Sequence, residues 1–290
     1  MPQQRTAQTI YEARPTTEGA GVHLHRVFGH GDERLFDPFL MLDDFRSDTP
    51  AEFRPGFPWH PHRGIETITY VLRGDIEHAD SIGNRGVIGS GDVQWMTAGS
   101  GIIHQEMPQG DSEGHMWGFQ LWANLPAAEK MRDPRYRGLT SAEIPSVTTD
   151  TGTTVHVIAG EVEGVRGPVE GIVIDPEYLD VSVPANSEFT HEIAPAHTAF
   201  AYCIEGSAEF APDTSLENRQ AVLFSEGDFV RVVTQDRPVR FLLVSGRPLG
   251  EPIAWRGPIV MNTEEELRKA YSELQDDTFV KVGSAPAPSR

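Results

Sequence analysis

The 290-residue chain has one cysteine, three lysines and no long apolar segment. Because Cys203 is alone, no disulfide can form within the chain, and its neighbours Tyr202 and Ile204 predict a buried strand position. No run approaches the roughly 20 apolar residues that a membrane-spanning helix requires. These absences argue against a disulfide-stabilised scaffold and against a membrane protein.

Positive charge is also scarce in this sequence. Lys and Arg total 24 against 43 Asp and Glu, which gives a formal net charge of −19. A chain of this sign is repelled by the phosphate backbone, so direct nucleic-acid binding is not expected, and any role at DNA would run through a protein partner. The N-terminal residues are polar and lack the apolar core of a secretory signal, so we expect a cytoplasmic protein.

Short β-like runs separated by glycine, proline and Asp-Gly turns make up most of the chain. Thr67–Leu72 is one such run, and the pattern is typical of an all-β sandwich or barrel. Helical patterning occurs only at Pro126–Met131 and from Asn262 to about Gln275, where Asn262 or Thr263 can cap the first turn. The sequence therefore predicts an all-β fold with a few short helices, including a C-terminal one.

A weak internal repeat is visible in the turn signals. Tyr70–Gly74 is followed by Gly91-Asp92, and Tyr202–Gly206 is followed at a similar interval by Gly227-Asp228. Such a repeat indicates a duplicated β-domain.

The boundary between the two halves is expected where β-periodicity is lost, between Arg135 and Val147. We therefore predict an N-terminal domain of residues 1–138 and a C-terminal domain of residues 139–290. The last residues, 283–290, are rich in Ser, Ala and Pro and are predicted to be mobile.

Four side chains in two separated segments are candidate metal ligands: His60, His62, His104 and Glu106. Successive side chains of a strand point to opposite faces, so each pair shares one face of its strand. Together the pairs offer three imidazoles and one carboxylate, which suit a first-row transition metal better than calcium or magnesium. The alternatives are hydrogen-bonded core histidines and a carboxylate bonded to backbone or arginine.

Both segments match the pattern of cupins, small β-barrels that hold a metal inside, and the chain resembles the pirin family in particular. The matching segments are Asp37–Phe45, His60–Thr67, Gly91–Glu106, Gln120–Pro126 and Gly257–Thr263. The resemblance covers almost the whole chain. It implies two tandem cupin β-barrels, a bicupin, with one metal, usually iron, in the N-terminal barrel.

Residue by residue, the resemblance makes His60, His62, His104 and Glu106 the ligands of one divalent metal, although manganese, nickel, copper or zinc fit the same donors. The family contains enzymes that open a flavonol such as quercetin with O2. In such an enzyme O2 and a flat aromatic molecule would be bound, and Glu106 would be the catalytic residue that accepts the proton of the flavonol hydroxyl.

The family also contains transcriptional coregulators and partners of metabolic enzymes. The alternative is therefore a non-catalytic regulator whose iron, by its oxidation state, changes the surface that a protein partner sees. A third reading is a structural bicupin whose metal only rigidifies the barrel. The acidic, lysine-poor chain has no basic localisation run, which favours the enzyme or an enzyme partner.

Other residues carry weaker patterns. The generic cupin pattern would make Glu66 a ligand, but the pirin resemblance gives that task to Glu106, so we expect Glu66 to be structural or to support a ligand. Arg63 and Gln94 are candidates to orient the site, with surface or turn roles equally open. Candidate walls of an aromatic pocket, for which plain core positions are the alternative, are Phe57, Trp59, Trp95 and Met96.

Two further histidine pairs are not expected to bind metal. His23 and His25 also form a His-x-His pair, but none of the downstream pattern follows it. In the second half, His191 and His197 lie six residues apart, and two ligands make a poor site. The C-terminal barrel is therefore predicted to lack metal.

Overall fold

A computed structural model of the chain describes residues 2–282, so the tail predicted to be mobile lies outside the described residues. The contacts divide the chain into two compact units. The N-terminal barrel comprises Pro15–Gly31, Phe39–Ser141 and the described residues from Gly250 onward. The C-terminal barrel comprises the described residues up to Arg14, then Asp32–Pro38 and Ala142–Leu249. Each unit is made of three separate stretches of the chain, whereas the domains predicted from the sequence are contiguous.

The strands of the first half of the chain are β1 (Ala7–Glu12), β2 (Arg14–Glu18), β3 (Val22–Phe28), β4 (Phe39–Asp44), β5 (Phe57–His62), β6 (Ile65–Arg73), β7 (Ile76–Asp80), β8 (Arg85–Ile88), β9 (Val93–Thr97), β10 (Ile102–Pro108), β11 (Trp117–Asn124) and β12 (Arg135–Leu139). Those of the second half are β13 (Ser146–Thr148), β14 (Thr154–Ala159), β15 (Glu161–Val162), β16 (Val165–Arg166), β17 (Glu177–Val183), β18 (Glu188–Glu192), β19 (Thr198–Ala211), β20 (Thr214–Glu217), β21 (Gln220–Phe224), β22 (Phe229–Val233), β23 (Val239–Gly246), β24 (Ala254–Arg256) and β25 (Ile259–Met261). The helices are α1 (Pro50–Phe53) and α2 (Glu264–Gln275), with one 3-10 turn at Ser141–Glu143.

The N-terminal barrel is built from two antiparallel sheets. One has seven strands in the order β12-β9-β6-β11-β4-β3-β2, and the other has four in the order β5-β10-β7-β8. The hydroxyl of Thr69 on β6 donates to Glu106 on β10 at 2.8 Å, and the ring of His62 on β5 lies 5.0 Å from that of Trp122 on β11. The two sheets therefore face each other across the barrel interior, and the candidate ligands point into it.

The C-terminal barrel has a ten-stranded sheet system in which β1 pairs with β21 and the central order is β21-β19-β23-β17-β14-β13. Its interior is apolar and includes Phe189, Phe210 and Phe241. Cys203 lies on β19 and is fully buried, as the sequence predicts. Both halves of the chain are thus all-β, which confirms the predicted fold class.

The pairing of strands shows how the two barrels correspond. In the first, β6 pairs with β9 and β11, and β10 pairs with β5; in the second, β19 pairs with β21 and β23, and β22 pairs with β18. Gly91-Asp92 precedes β9, whereas Gly227-Asp228 precedes β22, the counterpart of β10. The duplication is therefore genuine, although these two turn motifs are not equivalent.

The helices follow the sequence signals in part. Thr263 caps α2 by accepting from the Glu266 amide, and the Glu266 carboxylate reaches back to the Thr263 amide, so a capping box starts this helix. The predicted helix at Pro126–Met131 is wrong: the segment forms hydrogen-bonded turns, because it makes only one backbone bond of helical spacing, from the Lys130 amide to the Pro126 carbonyl. No helix within residues 2–282 is both long and apolar enough to cross a membrane.

Candidate metal centre

The three histidines predicted from the sequence converge in the N-terminal barrel. His60 and His62 lie on β5 and His104 lies on β10, where His104 is directly opposite His60 in the antiparallel register. One nitrogen from each ring lies within 4.8 Å of the others. The rings of His60 and His104 are 4.3 Å apart between centroids. A single ion can therefore reach all three after small side-chain rotations.

Backbone carbonyls fix the orientation of two of these rings. Nδ1 of His60 bonds to the Pro58 carbonyl at 2.9 Å, and Nδ1 of His62 bonds to the Pro258 carbonyl at 3.1 Å. Because a carbonyl only accepts, Nδ1 carries the proton in each ring and Nε2 keeps its lone pair. This is the arrangement in which a protein histidine ligates a metal.

Burial keeps the three imidazoles neutral. It lowers the pKa of His62 and of His104 well below the ordinary value, and the neighbouring His60 lowers both further. The pKa of His60 is also lowered, chiefly by burial, while the Glu106 carboxylate opposes the shift. Neutral imidazole is the form that binds a metal.

His104 provides a direct test of whether the site fits a metal. Its side chain is 1% exposed, and within the described part of the chain neither ring nitrogen has a hydrogen-bond partner. A buried polar atom left unpaired costs free energy, so such atoms are rare unless a ligand satisfies them. An ion held between His60, His62 and His104 would satisfy one of these nitrogens.

Glu106 lies on the same strand as His104, but it is not among the side chains whose donor atoms lie within 4.8 Å of one another. Its Oε1 accepts from the Thr69 hydroxyl at 2.8 Å, and Thr69 Oγ1 also lies 2.9 Å from the side-chain oxygen of Gln120. Because Thr69 has one hydroxyl proton and the carboxylate is the stronger of the two acceptors, the proton is donated to Glu106. The carboxylate is 6% exposed and lies beside the histidine group, so its role as fourth ligand stays a prediction.

Glu66 has partners of its own in the barrel. Its two oxygens accept from Trp95 Nε1 and Thr97 Oγ1, each at 2.8 Å, and burial raises its pKa. Glu66 is absent from the histidine group. Trp95 is therefore held in the core by Glu66, and neither residue lines the cavity described below.

Arg63 and Lys130 fasten the segment next to His62 to the C-terminal residues of the same barrel. Arg63 is 2% exposed, donates to the carbonyls of Ser100 and Phe279, and pairs with Glu273 at 2.7 Å. Lys130 donates to the carbonyls of Gly64 and Val260 and to Asn124.

Together with the bond from His62 to Pro258, these contacts hold β5, which carries His60 and His62, against residues 258–279. Gln94 is fully buried, and its side-chain amide has no hydrogen-bond partner among residues 2–282. It therefore bonds to none of the candidate ligand side chains.

A half-open cavity of about 560 Å³ adjoins the histidines. His60, His62 and Glu106 line one part of it, and apolar side chains form much of the remaining wall. Among the predicted aromatic walls, only Phe57 lines this cavity; Trp59 does not, and Trp95 and Met96 are core residues. The aromatic walls that the sequence did not single out are Phe45, Trp122 and Trp255, and the rings of the two tryptophans are 6.0 Å apart.

His78 is another neighbour of the site that the sequence did not single out. It lies opposite Glu106 in the pairing of β7 with β10, and its ring is 5.5 Å from that of His104 and stacks on Tyr136 at 5.0 Å. Asp80 lies 3.6 Å away from its Nε2. The sequence signal that could have identified this neighbour is the His-x-Asp spacing of His78 and Asp80 at the end of a strand.

The other histidine pairs are placed elsewhere. His23 and His25 lie on β3 and belong to neither of the potential ligand groups found in residues 2–282. In the C-terminal barrel His191 faces Val230 where His60 faces His104, and its Nε2 bonds to Glu177 at 3.0 Å. His197 Nδ1 lies 3.3 Å from the Ser245 hydroxyl. The absence of a metal in this barrel stays a prediction, which the apolar Val230 supports.

Comparison with known proteins agrees with this geometry. The pirin family model matches residues 21–123, and the pirin C-terminal cupin domain model matches residues 178–280. A pirin-like protein of Caulobacter vibrioides is 45% identical over 95% of this chain and 99% of its own length. A protein of Pseudomonas aeruginosa provisionally named quercetin 2,3-dioxygenase is 41% identical over 95% of this chain and 98% of its own length.

Among solved structures, quercetin 2,3-dioxygenase from Acinetobacter baumannii superposes with a TM-score of 0.86 at 30% identity, and the match covers 95% of this chain and 98% of that one. Both family models and the similar proteins indicate one family, and the histidine group is consistent with it. The chain belongs to the pirin family.

Proposed function

We propose that the chain is a metal-dependent dioxygenase that opens a flavonol such as quercetin with O2. The ion would be held by His60, His62, His104 and Glu106. The observation that carries the proposal is the convergence of three neutral imidazoles, of which His60 and His62 line a largely apolar cavity open to solvent. A regulator that binds a protein partner requires no such cavity, so the enzyme is the function that the geometry favours.

An ion held by these residues would supply Lewis acidity and a common binding point for the flavonol and O2. Iron is the ion we expect, and manganese, nickel, copper and zinc are the alternatives. In the reaction both atoms of O2 enter the opened product, and the ring carbon that bore the 3-hydroxyl leaves as CO with its own oxygen.

Glu106 is the residue we propose as general base. The Thr69 hydroxyl donates to Oε1. To accept the proton of the 3-hydroxyl through its second oxygen, Glu106 must be either a weakly held ligand that can leave the ion or a neighbour of the ion within hydrogen-bond reach of the substrate. Removing this proton raises the electron density of the ring that O2 attacks. Trp122 and Trp255 line the cavity, where their flat rings can hold the aromatic substrate and exclude water.

The test is oxygen uptake by iron-loaded protein with quercetin. We expect one O2 consumed and one CO released per quercetin lost. His62→Ala should lose both metal and turnover. Glu106→Gln, which keeps the size of the side chain but cannot act as a base, should lower kcat by a factor of about 100 or more.

Protein with a full equivalent of iron that turns over no flavonol would contradict the proposal. A cytoplasmic location stays a prediction beside it.

A further inference from the structure

A row of polar side chains crosses the cavity-facing side of the seven-stranded sheet. Arg26 lies opposite Asp43 in the register, Asp43 opposite Gln120, and Gln120 opposite Thr69. Because paired residues share a face, all four project towards the barrel interior. Arg26, Asp43 and Gln120 line the cavity, while Thr69 bonds to Glu106.

The register also sets the distance between the two ends of this row. Asp43 on β4 is two strands away from Thr69 on β6, which is about 10 Å at the normal spacing of strands. Glu106, bonded to Thr69, therefore lies at one end of the cavity. The Arg26 and Asp43 pair lies at the other end.

Arg26 and Asp43 form a bidentate ion pair. Nε and Nη2 of Arg26 donate to the two oxygens of Asp43 at 2.9 and 2.8 Å. Nη1 lies 2.9 Å from Glu18, which also lines the cavity. The Asp43 side chain is 4% exposed, and burial raises its pKa to about 6 although Arg26 opposes the shift. Charges placed this deep in a ligand cavity carry a desolvation cost and are typical of functional sites.

The pair has hydrogen-bonding capacity left over. A guanidinium has five N–H groups, of which three are used here, and each Asp43 oxygen accepts one bond and can accept a second. One guanidinium faces two carboxylates, so the group is anionic when both are ionised. It would repel a carboxylate but accommodate a hydroxyl, which both donates and accepts.

We propose that the Arg26–Asp43 pair is the specificity determinant of the cavity, and that it recognises phenolic hydroxyls on the ring of the ligand farthest from the histidines. A vicinal pair of hydroxyls fits best, because one can donate to Asp43 while the other accepts from Arg26. The inference rests on the proposed function for the identity of the metal-bound end. It specifies the substrate class as flat aromatics with a hydroxylated distal ring.

The test compares three flavonols that differ only on the distal ring: galangin with no hydroxyl there, kaempferol with one, and quercetin with two. Binding to metal-loaded protein under argon is measured by calorimetry. We expect wild-type protein to bind quercetin about 10 to 100 times more tightly than galangin, as a hydrogen bond to a charged group implies. In Asp43→Asn this ratio should fall about tenfold, with galangin affinity unchanged.

The C-terminal barrel offers a matched control. Arg240 donates to Asp180 through Nε and Nη2 in the same bidentate geometry, and Asp180 is fully buried but does not line the cavity beside the histidines. Asp180→Asn should leave the ratio unchanged. Should Asp43→Asn fail to fold, Arg26→Lys keeps a cation beside Asp43 but removes the fork, and it should abolish the preference for quercetin over kaempferol.

Failure of this inference is distinguishable from failure of the proposed function. If all three flavonols are turned over and Asp43→Asn leaves their affinity ratios unchanged, the inference is overturned while the enzyme stands. If no flavonol is turned over, 4-phenylcatechol and biphenyl are compared on the metal-free protein, where the catechol cannot chelate the ion. A preference for the catechol that Asp43→Asn removes supports the inference, and equal affinities overturn it.

Discussion

Replacing Arg63 with methionine is expected to loosen both the C-terminal segment and the adjacent His62, a proposed metal ligand. The guanidinium donates to the carbonyls of Ser100 at 2.7 Å and Phe279 at 2.9 Å, pairs with Glu273 at 2.7 Å, and lies 4.2 Å above the Phe279 ring. Methionine fills part of the same space but can donate to none of these groups.

The magnitude follows from burial. Breaking a buried ion pair from one side costs about 3–5 kcal/mol of unfolding free energy. Glu273 is 14% exposed and also pairs with Lys281, so the lower end, about 3 kcal/mol, applies to Arg63→Met. For a unit of this size that corresponds to a fall of about 6–12 °C in the melting temperature. Metal affinity should fall by about 10- to 100-fold, because the strand end that orients His62 is released.

Thermal unfolding of the metal-free protein and competitive metal titration measure the two effects. The matched control is Arg256→Met, because Arg256 pairs with Glu264 at 3.4 Å with both side chains mostly exposed. Its loss should cost less than about 1 kcal/mol and leave metal affinity unchanged. If Arg63→Met and Arg256→Met gave the same loss of stability, the role assigned to Arg63 would be refuted.

Two further perturbations test the surroundings of the ligands. Gly64 has φ +78°, and a Cβ there would lie 1.9 Å from the Val260 carbonyl oxygen, so Gly64→Ala should cost about 3 kcal/mol or more in urea unfolding. Gly83 also has positive φ but no atom near its Cβ position, so Gly83→Ala should cost less, and equal losses would contradict the steric argument.

Burial lowers the pKa of His62 and His104, so the unfolded chain takes up protons at these positions first as the pH falls below about 6.5. The free energy of unfolding of the metal-free protein should therefore be highest above pH 7 and should decline towards pH 5. The decline should be at most about 1.4 kcal/mol per pH unit for each histidine. His104→Leu should flatten this decline, and urea unfolding that does not change between pH 8 and pH 5 would contradict it.

Local sequence patterns were sufficient to predict that His60, His62 and His104 lie together. His60 and His62 share a strand face because of their spacing, and the glycine-rich turn before His104 places that residue on the neighbouring strand. The capping box of α2 is likewise a local signal, set by Thr263 and Glu266. Features of this kind depend on residues a few positions apart, which is why the sequence specifies them.

The walls and supports of the site depend instead on long-range pairing. Asp43 and Gln120 become neighbours only through the register of β4 and β11, and Pro258 meets His62 only because residues from Gly250 onward fold back onto the N-terminal barrel. Nothing in the local pattern at Trp255 marks it as a cavity wall. One-residue shifts of register would reverse these faces, so such contacts cannot be inferred from periodicity alone.

The most direct test of the account is the metal content and ligand shell of protein purified from its native host. We expect one transition-metal ion per chain, with X-ray absorption showing three histidine nitrogens and at least one oxygen, and loss of the ion in His104→Leu but not in His191→Leu. Protein that holds no stoichiometric metal, or holds it equally well after His104→Leu, would contradict the central claim.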